Sequence, residues 1–370
     1  MTQTTTLGQR QQIEIAAIEA ELAALWRHAP GHDAPQLTRA CVMTLVAPVL
    51  DQAAAQLAGA ATLHLTDRFP NRTIVIDARP DDQEDVLDAW VQANCQMPAA
   101  GRAQVCCEQV TIDARGPAVE RASGVVLPLL VPDVPVVLWW PSGDPQASPL
   151  FAQLSELADR VIVDSATFAQ PEPQLRALLK DARAHKRVSD LAWARLTPWR
   201  ELLAQFFDSA ASAAQVHTIS SVRVQYELPE AVLDRVQPLM LVGWLAAKLG
   251  WQPLGALLNR ADAALSLRRP DGGSVEVMLV PQAVAAPAAA RITAVELRTA
   301  IATYQVGCSS ATNCATARVQ PREGAAIQRV VRLEQLAVAE LLAEDLRLFG
   351  RDRAYEATLR ALAAISEPTA

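Results

Sequence analysis

The chain has 370 residues, a formal net charge of −7 and a hydrophobic fraction of 51%. Its length exceeds the roughly 100–200 residues of a typical domain, so we expect two folded domains. The negative charge gives no overall attraction to nucleic acid or to anionic lipid, so neither is an expected partner. Six cysteines, without a charged and apolar leader over residues 1–10, predict a cytoplasmic protein that is not built on a disulfide framework.

The longest apolar segment is Val125–Trp140, which three prolines and one aspartate interrupt. A helix that crosses a bilayer needs about 20 consecutive apolar residues. A second apolar segment, Leu239–Trp251, is shorter and contains Lys248, which is typical of a core helix with one polar edge. We therefore expect no membrane association.

The first predicted element is an amphipathic helix that ends at Pro30–Gly31. Apolar residues recur on one side of it at helical spacing, namely Ile15, Ile18, Leu22, Leu25 and Trp26. Short runs rich in β-branched residues then predict strands at Val42–Val46, Thr73–Ile76 and Val105–Ile112. The N-terminal part is therefore mixed α and β.

A strand–helix–strand unit follows, with strands at Val134–Trp140 and Arg160–Asp164 and a helix at Leu150–Asp159 between them. Both strands are largely apolar without alternation, which is typical of strands covered on both faces. A helix that connects two such strands implies a parallel pair with a right-handed crossover. We therefore predict that the N-terminal domain contains an open α/β sheet with a parallel βαβ unit.

The second half predicts an antiparallel sheet with helices. Its strands are expected at Val216–Glu227, Ala263–Arg268, Val275–Val280, Ala290–Leu297 and Ala302–Val306. Asp271–Gly273, between two of these strands, is a hairpin signal. A long helix after Arg329 that ends at Gly350, and a short helix through Tyr355 and Leu359, complete an α+β domain.

The domain boundary lies between residues 181 and 215. The charged stretch Lys180–Asp190 and the small-residue stretch Ser209–Gln215 are both candidate linkers. We divide the chain into an α/β domain of residues 1–188 and an α+β domain of residues 189–370.

The sequence contains no recognisable catalytic motif. His28 and His32 are the only close histidines, and they lack nearby cysteine or glutamate ligands, so no metal is expected. The glycine motifs that hold dinucleotides and triphosphates are absent, as is the elbow motif of serine hydrolases. We therefore expect no catalytic residue and no cofactor.

Two predicted strand ends could still carry a binding site. Trp139 and Trp140 end one parallel strand, and Asp164 and Ser165 end the next, where open α/β sheets bind ligands. The alternative is structural: the two tryptophans point to opposite sides of the sheet as core, and Asp164 or Ser165 caps a turn.

The segment Asp190–Asp208 also allows two interpretations. Thr197 is a candidate cap for a helix that begins at Pro198. An apolar stripe on this helix, formed by Trp199, Leu202, Leu203 and Phe206, is expected to pack on the core. Alternatively, tryptophan and arginine side chains of this segment anchor a partner protein, the candidates being Trp193, Arg195, Trp199 and Arg200.

The cysteines form two sets. Cys106 and Cys107 are adjacent on a predicted strand and point to opposite faces, so we expect both to be buried thiols. Cys308 and Cys314 flank a short loop, and in a hairpin their Cβ atoms could face each other at bridging distance. A reversible dithiol and two free thiols are both compatible with this spacing.

Four long segments together resemble the OpcA family of glucose-6-phosphate dehydrogenase assembly proteins. They are Leu127–Trp140, Asp159–Ser165, Asp190–Asp208 and Leu241–Trp251. The cysteine-containing segments Val105–Glu108 and Cys308–Cys314 look most like the cyanobacterial branch. Where relatives often have His-Pro-Cys-Arg, this chain has Phe69–Arg72, so thiol or imidazole chemistry is absent at that site.

The resemblance implies a non-enzymatic protein that assembles and allosterically activates glucose-6-phosphate dehydrogenase at the entry of the oxidative pentose phosphate pathway. It also implies redox control, with Cys308 and Cys314 as a dithiol that thioredoxin reduces. The competing hypothesis is a sugar-phosphate-binding α/β protein or enzyme that uses the crevice near Trp140 and Asp164. An enzyme would turn over its substrate unaided, whereas an effector would act only when the dehydrogenase is present.

Overall fold

The computed structural model describes residues 4–7, 14–27, 37–66, 68–96, 104–170, 173–178, 187–229, 235–254, 264–284, 291–308, 314–348 and 350–366. The chain forms two compact units. The first comprises Met1–Asp164, His185–Leu191 and Ala337–Gly350, and the second comprises Ser165–Ala184, Ala192–Leu336 and Arg351–Ala370. Within the described ranges, no helix is both long enough and apolar enough to cross a bilayer.

The first unit is built on a nine-stranded mixed sheet. Its strands are β1 (Thr4–Leu7), β2 (Leu37–Arg39), β3 (Met43–Val49), β4 (Asn71–Arg79), β5 (Val86–Gln96), β6 (Gln104–Arg115), β7 (Val136–Trp140), β8 (Arg160–Val163) and β9 (Arg187–Asp190). The strand order is β1-β5-β6-β4-β3-β7-β8-β9, and β2 pairs with β6. The helices of this unit are α1 (Ile18–Arg27), α2 (Gln52–Leu65), α3 (Ala122–Val126), α4 (Pro149–Leu157) and α10 (Val338–Leu346).

The predicted βαβ unit is confirmed. Strands β7 and β8 are parallel, with Trp140 opposite Val163, and α4 connects them. Every residue of β3, β7 and β8 is buried, as continuous apolar runs indicate for strands covered on both faces. The centre of this sheet is therefore the core of the first unit.

The second unit is built on an eight-stranded sheet. Its strands are β10 (Ser221–Pro229), β11 (Gln252–Pro253), β12 (Ala264–Arg268), β13 (Ser274–Val284), β14 (Arg291–Arg298), β15 (Ala302–Cys308), β16 (Cys314–Pro321) and β17 (Ile327–Arg332). The order is β11-β12-β13-β10-β14-β15-β16-β17. All pairs are antiparallel except β10 with β13.

The second unit also contains helices within its described ranges. They are α5 (173–178), α6 (Leu191–Arg195, which starts at the last residue of the first unit), α7 (Thr197–Gln205), α8 (Ala210–Ala213), α9 (Val236–Leu249) and α11 (Arg353–Ser366). Helix α9 packs against β10 and β14, and α7 packs against β15. Gly250 ends α9 with a φ of 68°, the left-handed conformation that favours glycine at this position. The apolar segment Leu239–Trp251 is thus mainly a core helix, as its sequence indicated.

The hairpin signal at Asp271–Gly273 is confirmed. It connects the antiparallel strands β12 and β13, and Gly272 has a φ of 86°. The Asp271 carboxylate accepts a hydrogen bond from the Gly273 amide at 3.0 Å. This hydrogen bond is the main cause of the lowered pKa of the Asp271 carboxyl.

The predicted long helix after Arg329 is wrong. Residues 327–332 are strand β17, which pairs with β16, and only Val338–Leu346 is helical. Leu333 and Leu336 have helical spacing, but residues 333–337 form neither helix nor strand, and β17 ends at Arg332. The last helix, α11, has 14 residues and is longer than predicted.

Packing does not follow the order of the chain. Helix α10 belongs to the first unit, where it packs on α2, and Arg160 of β8 binds it through a 2.6 Å ion pair with Asp345. Arg160 also donates to the carbonyl oxygen of Leu348 at 2.9 Å. The domain boundary at residue 188 therefore stays a prediction. The first unit contains, besides its N-terminal residues, the C-terminal segment Ala337–Gly350 with α10.

The expectation that Cys106 is a free thiol is wrong. The register of β5 and β6 places Cys95 directly opposite Cys106, and the two form a disulfide. Strand β5 was not among the predicted strands, so this partner was missed. Cys107 is a buried thiol as expected, and burial raises its pKa.

Candidate functional site

The two strand ends of the first unit lie side by side, as predicted. Trp140 is opposite Val163, so Asp164 follows at the same edge of the sheet. Both tryptophans are fully buried, and Asp164 and Ser165 are also buried. Trp140 contacts Phe151 of α4 edge to face, with ring centroids 5.3 Å apart. The structure therefore favours the core interpretation of these residues.

The indole nitrogens of Trp139 and Trp140 are buried and have no hydrogen-bond acceptor among the described residues. Because successive strand residues point to opposite faces, the two N–H groups cannot converge on one ligand. A binding role for Trp139, Trp140, Asp164 and Ser165 stays a prediction, and it would require this part of the sheet to open.

The segment Asp190–Asp208 folds as a helical corner in which α7 follows α6. Trp193 of α6 is only 4% exposed, and its indole N–H donates to the Asp352 carboxylate at 2.7 Å. Its ring lies 5.7 Å from that of Tyr355. Helix α7 begins at Thr197 with Leu196 as its N-cap, so the predicted side-chain cap from Thr197 is not formed.

Arg200 lies over the ring of Trp193, with its guanidinium carbon 3.5 Å from the ring centroid. This is a cation–π contact, and Arg200 also donates to the Thr197 hydroxyl at 2.8 Å. Burial lowers the pKa of the Arg200 guanidinium to about 10, while the Asp352 carboxylate opposes that shift. Arg200 is therefore still charged at pH 7.

The apolar stripe of α7 packs on the core. Trp199, Leu202 and Leu203 are buried, while Phe206 and Phe207 contact the ring of Tyr304. Of the four predicted anchors, only Arg195 and Arg200 are partly accessible. A docking role at this corner therefore depends on these two arginines, and it stays a prediction.

The hairpin cysteines do not face each other. Cys308 is opposite Ala315 in the β15–β16 ladder, and Cys314 is the residue before Ala315. Because alternate residues point to opposite faces, Cys308 shares the covered face with Val306, and Cys314 shares the open face with Thr316. Neither cysteine forms a disulfide bond within the described residues. Of the two alternatives that the sequence left open, this register does not place the two Cβ atoms opposite each other, because Cys308 pairs with Ala315 and not with Cys314.

The open face of the second sheet carries polar residues that sequence reasoning did not select. Cross-strand register aligns Arg223, Glu296, Gln305, Arg318 and Gln328 in one row across β10, β14, β15, β16 and β17. Polar residues alternate with apolar ones most clearly in β10 and β16, which was a visible signal. The alignment of the row was not visible, because it depends on four registers.

No metal centre is found within the described part of the chain, where no three His, Cys, Asp or Glu side chains group as ligands would. Burial raises the pKa of the Cys308 thiol, which opposes its ionisation. The functional surfaces that the structure offers are thus the helical corner and the open sheet face, both in the second unit.

Solved structures give only a distant likeness. "Structure of putative oxidoreductase yvaA from Bacillus subtilis in triclinic form" matches with a TM-score of 0.49 and 9% identity, covering 87% of this chain and 95% of that one. GenD2 from gentamicin A biosynthesis matches with a TM-score of 0.48 and 14% identity, covering 91% and 97%. At these scores, the likeness carries no information about function.

Curated relatives show a clearer sequence similarity to this chain. A Synechocystis sp. protein named "Putative OxPP cycle protein OpcA" is 28% identical over 310 residues, covering 80% of this chain and 63% of that protein. The Nostoc punctiforme protein of the same name is 30% identical over 305 residues, covering 79% and 64%. The chain therefore spans less than two thirds of the length of these relatives.

Two domain models of one family match in order. Residues 63–180 match the glucose-6-phosphate dehydrogenase subunit N-terminal domain, and residues 186–359 match the corresponding C-terminal domain. Together they account for most of the chain, in agreement with the cyanobacterial relatives. The chain therefore belongs to the OpcA family.

Proposed function

We propose that this chain is a non-enzymatic assembly factor and allosteric activator of glucose-6-phosphate dehydrogenase. The observation that carries the proposal is the ordered match of both family domains, each described as part of a glucose-6-phosphate dehydrogenase subunit. The relatives' name, which refers to the OxPP cycle, supports the same pathway.

Activation by such a protein has a thermodynamic requirement. The chain must bind the active form of the dehydrogenase more tightly than the inactive form, because the shift in populations equals that difference in affinity. Accessible polar groups at the helical corner, Arg195 and Arg200, suit a contact of this kind. The action then needs no reaction centre in this chain.

The competing hypothesis, a sugar-phosphate-binding protein or enzyme with its site near Trp140 and Asp164, has less support. Both residues are buried in the first unit. Such an enzyme would need an accessible crevice at this strand end. Turnover of a sugar phosphate by the purified chain alone would favour this second hypothesis.

Redox control through Cys308 and Cys314 stays a prediction, as does thioredoxin as a partner. A bond between the two sulfurs would require the end of the β15–β16 hairpin to change register or twist, because the thiols lie on opposite faces. A redox effect on activation would therefore be accompanied by local rearrangement.

The central experiment mixes the purified chain with the dehydrogenase of the same organism. NADPH production is followed at subsaturating glucose 6-phosphate, with reduced and with oxidised protein, and co-elution is measured by size-exclusion chromatography. We expect co-elution and a higher rate. Separate elution with an unchanged rate would contradict the proposal, and equal activation in both redox states would remove only the thiol switch.

The helical corner is tested with Arg200→Gln. If Arg200 is an anchor, we expect the substitution to weaken association about tenfold or more. Arg353→Gln, at an exposed position at the start of α11, is the matched control and should leave association unchanged. Trp199→Ala is unsuitable as a docking probe, because loss of a buried tryptophan costs about 3–5 kcal/mol of folding stability.

A further inference from the structure

A depression of about 320 Å³ lies on the open face of the second sheet. Its floor is low because Ala294 of β14 and Gly307 of β15 are direct cross-strand neighbours with almost no side chain. Gln225 and Thr316 continue this row on either side. The depression therefore results from two small residues placed between longer polar ones.

One wall of the depression is the adjacent polar row. Arg223, Glu296, Gln305 and Arg318 follow one another on neighbouring strands, and all four line the depression. Side chains in such a row stand roughly perpendicular to the sheet, so their polar ends rise above the floor. Most of these side chains offer hydrogen-bond donors, and one is a carboxylate.

The carboxylate of this wall is already occupied. Glu296 accepts from Gln305 through one oxygen at 2.5 Å and pairs with Arg298 through the other at 2.6 Å. Neither oxygen of Glu296 accepts a hydrogen bond from Arg223, although the two residues are direct cross-strand neighbours. The wall therefore contains no spare negative charge for a second cation.

Arg223 makes no hydrogen bond or ion pair with any described residue, and its Nε is shielded from solvent. A guanidinium has five donors, and leaving a shielded charged donor unpaired is costly. Arg318, on the far side, donates to the Gln320 side chain at 2.9 Å and has no carboxylate partner in the described ranges. The depression thus has excess positive charge and unused donors.

We propose that this depression binds a small phosphorylated polyol, such as a sugar phosphate, with its phosphate group on Arg223. Guanidinium groups bind phosphate oxygens through paired hydrogen bonds. Gln225, Gln305 and Thr316 supply uncharged groups that suit the hydroxyls of a polyol, and the volume is at the lower end of the range for small-ligand sites. This inference goes beyond the proposed function and does not depend on it.

The test uses the isolated full-length chain and isothermal titration calorimetry with three probes: glucose 6-phosphate, inorganic phosphate and glucose. We expect glucose 6-phosphate to bind most tightly, phosphate more weakly and glucose not measurably. Arg223→Gln should weaken glucose 6-phosphate binding about tenfold or more, because a hydrogen bond to a charged group is lost. Its melting temperature should be no lower than that of the wild type, since Arg223 has no described partner to lose.

Arg332→Gln is the matched control. Arg332 is opposite Cys314 at the sheet edge and outside the depression, so glucose 6-phosphate binding should change less than twofold on the scale of ordinary surface substitutions. An equal loss of glucose 6-phosphate affinity in both variants would mean that binding reflects general charge attraction, and it would overturn the proposed site.

Three further results would overturn the proposal. The first is that neither glucose 6-phosphate nor inorganic phosphate binds at millimolar concentration. The second is equal affinity for phosphate and glucose 6-phosphate, which would remove the polyol part. The third is loss of dehydrogenase co-elution in Arg223→Gln without any small-molecule binding, which would make this face a protein-docking surface. The first two leave the proposed function intact.

Discussion

The two sheets of this protein bury their polar residues in different ways. In the first unit, the central strands β3, β7 and β8 are buried on both faces, and charged side chains within the sheet are paired. In the second unit, β16 alternates between buried and exposed residues over Cys314–Arg318, and one sheet face stays open. In the first unit the buried charges of Arg72 and Glu108 thus satisfy each other, whereas Arg223 on the open face of the second sheet has no partner among the described residues.

This difference separates the candidate sites. The first unit holds Trp139, Trp140 and Asp164 inside its core, so a ligand cannot reach them without local opening. The second unit presents Arg223 in an open depression and Arg200 at a helical corner. Recognition in this protein is therefore expected to depend on the second unit more than on the first.

The largest effect should follow from breaking the buried ion pair of the first unit. Arg72 of β4 and Glu108 of β6 are both buried, 2.7 Å apart, and Trp26 also donates to Glu108 at 2.6 Å. Arg72→Met leaves a buried carboxylate without its cation, and we expect a loss of about 3–5 kcal/mol in the free energy of unfolding. Urea denaturation measures this loss.

The matched control is Arg79→Met on the same strand. Arg79 pairs with Asp77 at 2.7 Å, but half of its side chain is exposed. An exposed ion pair contributes about 0–1 kcal/mol, so this variant should unfold close to the wild type. Similar losses in the two variants would contradict our view that burial, and not the ion pair alone, makes Arg72 important.

A smaller effect is expected from adding one methyl group to each unit. Gly243 of α9 faces α11, where an added Cβ would lie 2.8 Å from Cγ of Leu362. Gly243→Ala should therefore destabilise the second unit by about 1–3 kcal/mol, because overpacking moves a side chain or the helix. Thermal or urea unfolding of the variant gives the measurement.

Gly59→Ala provides the comparison in the first unit. Gly59 lies within α2, and an added Cβ there would have no neighbour within 4 Å. Alanine is a better helix former than glycine by about 1 kcal/mol, so this variant should be as stable as the wild type or more so. If Gly243→Ala were as stable as Gly59→Ala, the α9–α11 contact would be looser than the structure shows.

The sequence predicted the elements whose pattern is strong and local. The β7–α4–β8 unit, the α9 core helix and the Asp271–Gly273 turn each follow from apolar runs or turn residues that are close together in the sequence. Strand β17 was missed because most of its residues are exposed and its polar and apolar residues do not alternate, and it exists through pairing with β16. Local periodicity does not report such edge strands.

The candidate sites were harder to predict than the fold. The burial of Trp193 and Trp199 was one of two open alternatives, and tertiary packing decides between them. The unpaired state of Arg223 depends on Glu296 being occupied by two other side chains, which no sequence pattern indicates. The pairing of Cys308 with Ala315 instead of Cys314 is a difference of one residue in register, and that difference places the two thiols on opposite faces.

The two faces of the second sheet can be distinguished at this hairpin without any change in stability. Cys314 is exposed on the open face, whereas burial on the covered side raises the pKa of the Cys308 thiol. Because the thiolate is the reactive form, Cys308 should react with iodoacetamide more slowly than Cys314 at pH 8, and its rate should keep increasing as the pH rises above the ordinary thiol pKa. Peptide mapping by mass spectrometry measures both rates, and buried Cys107 serves as the unreactive control. Equal rates at pH 8 would contradict the register of β15 and β16, and with it the claim that the two thiols cannot bridge without rearrangement.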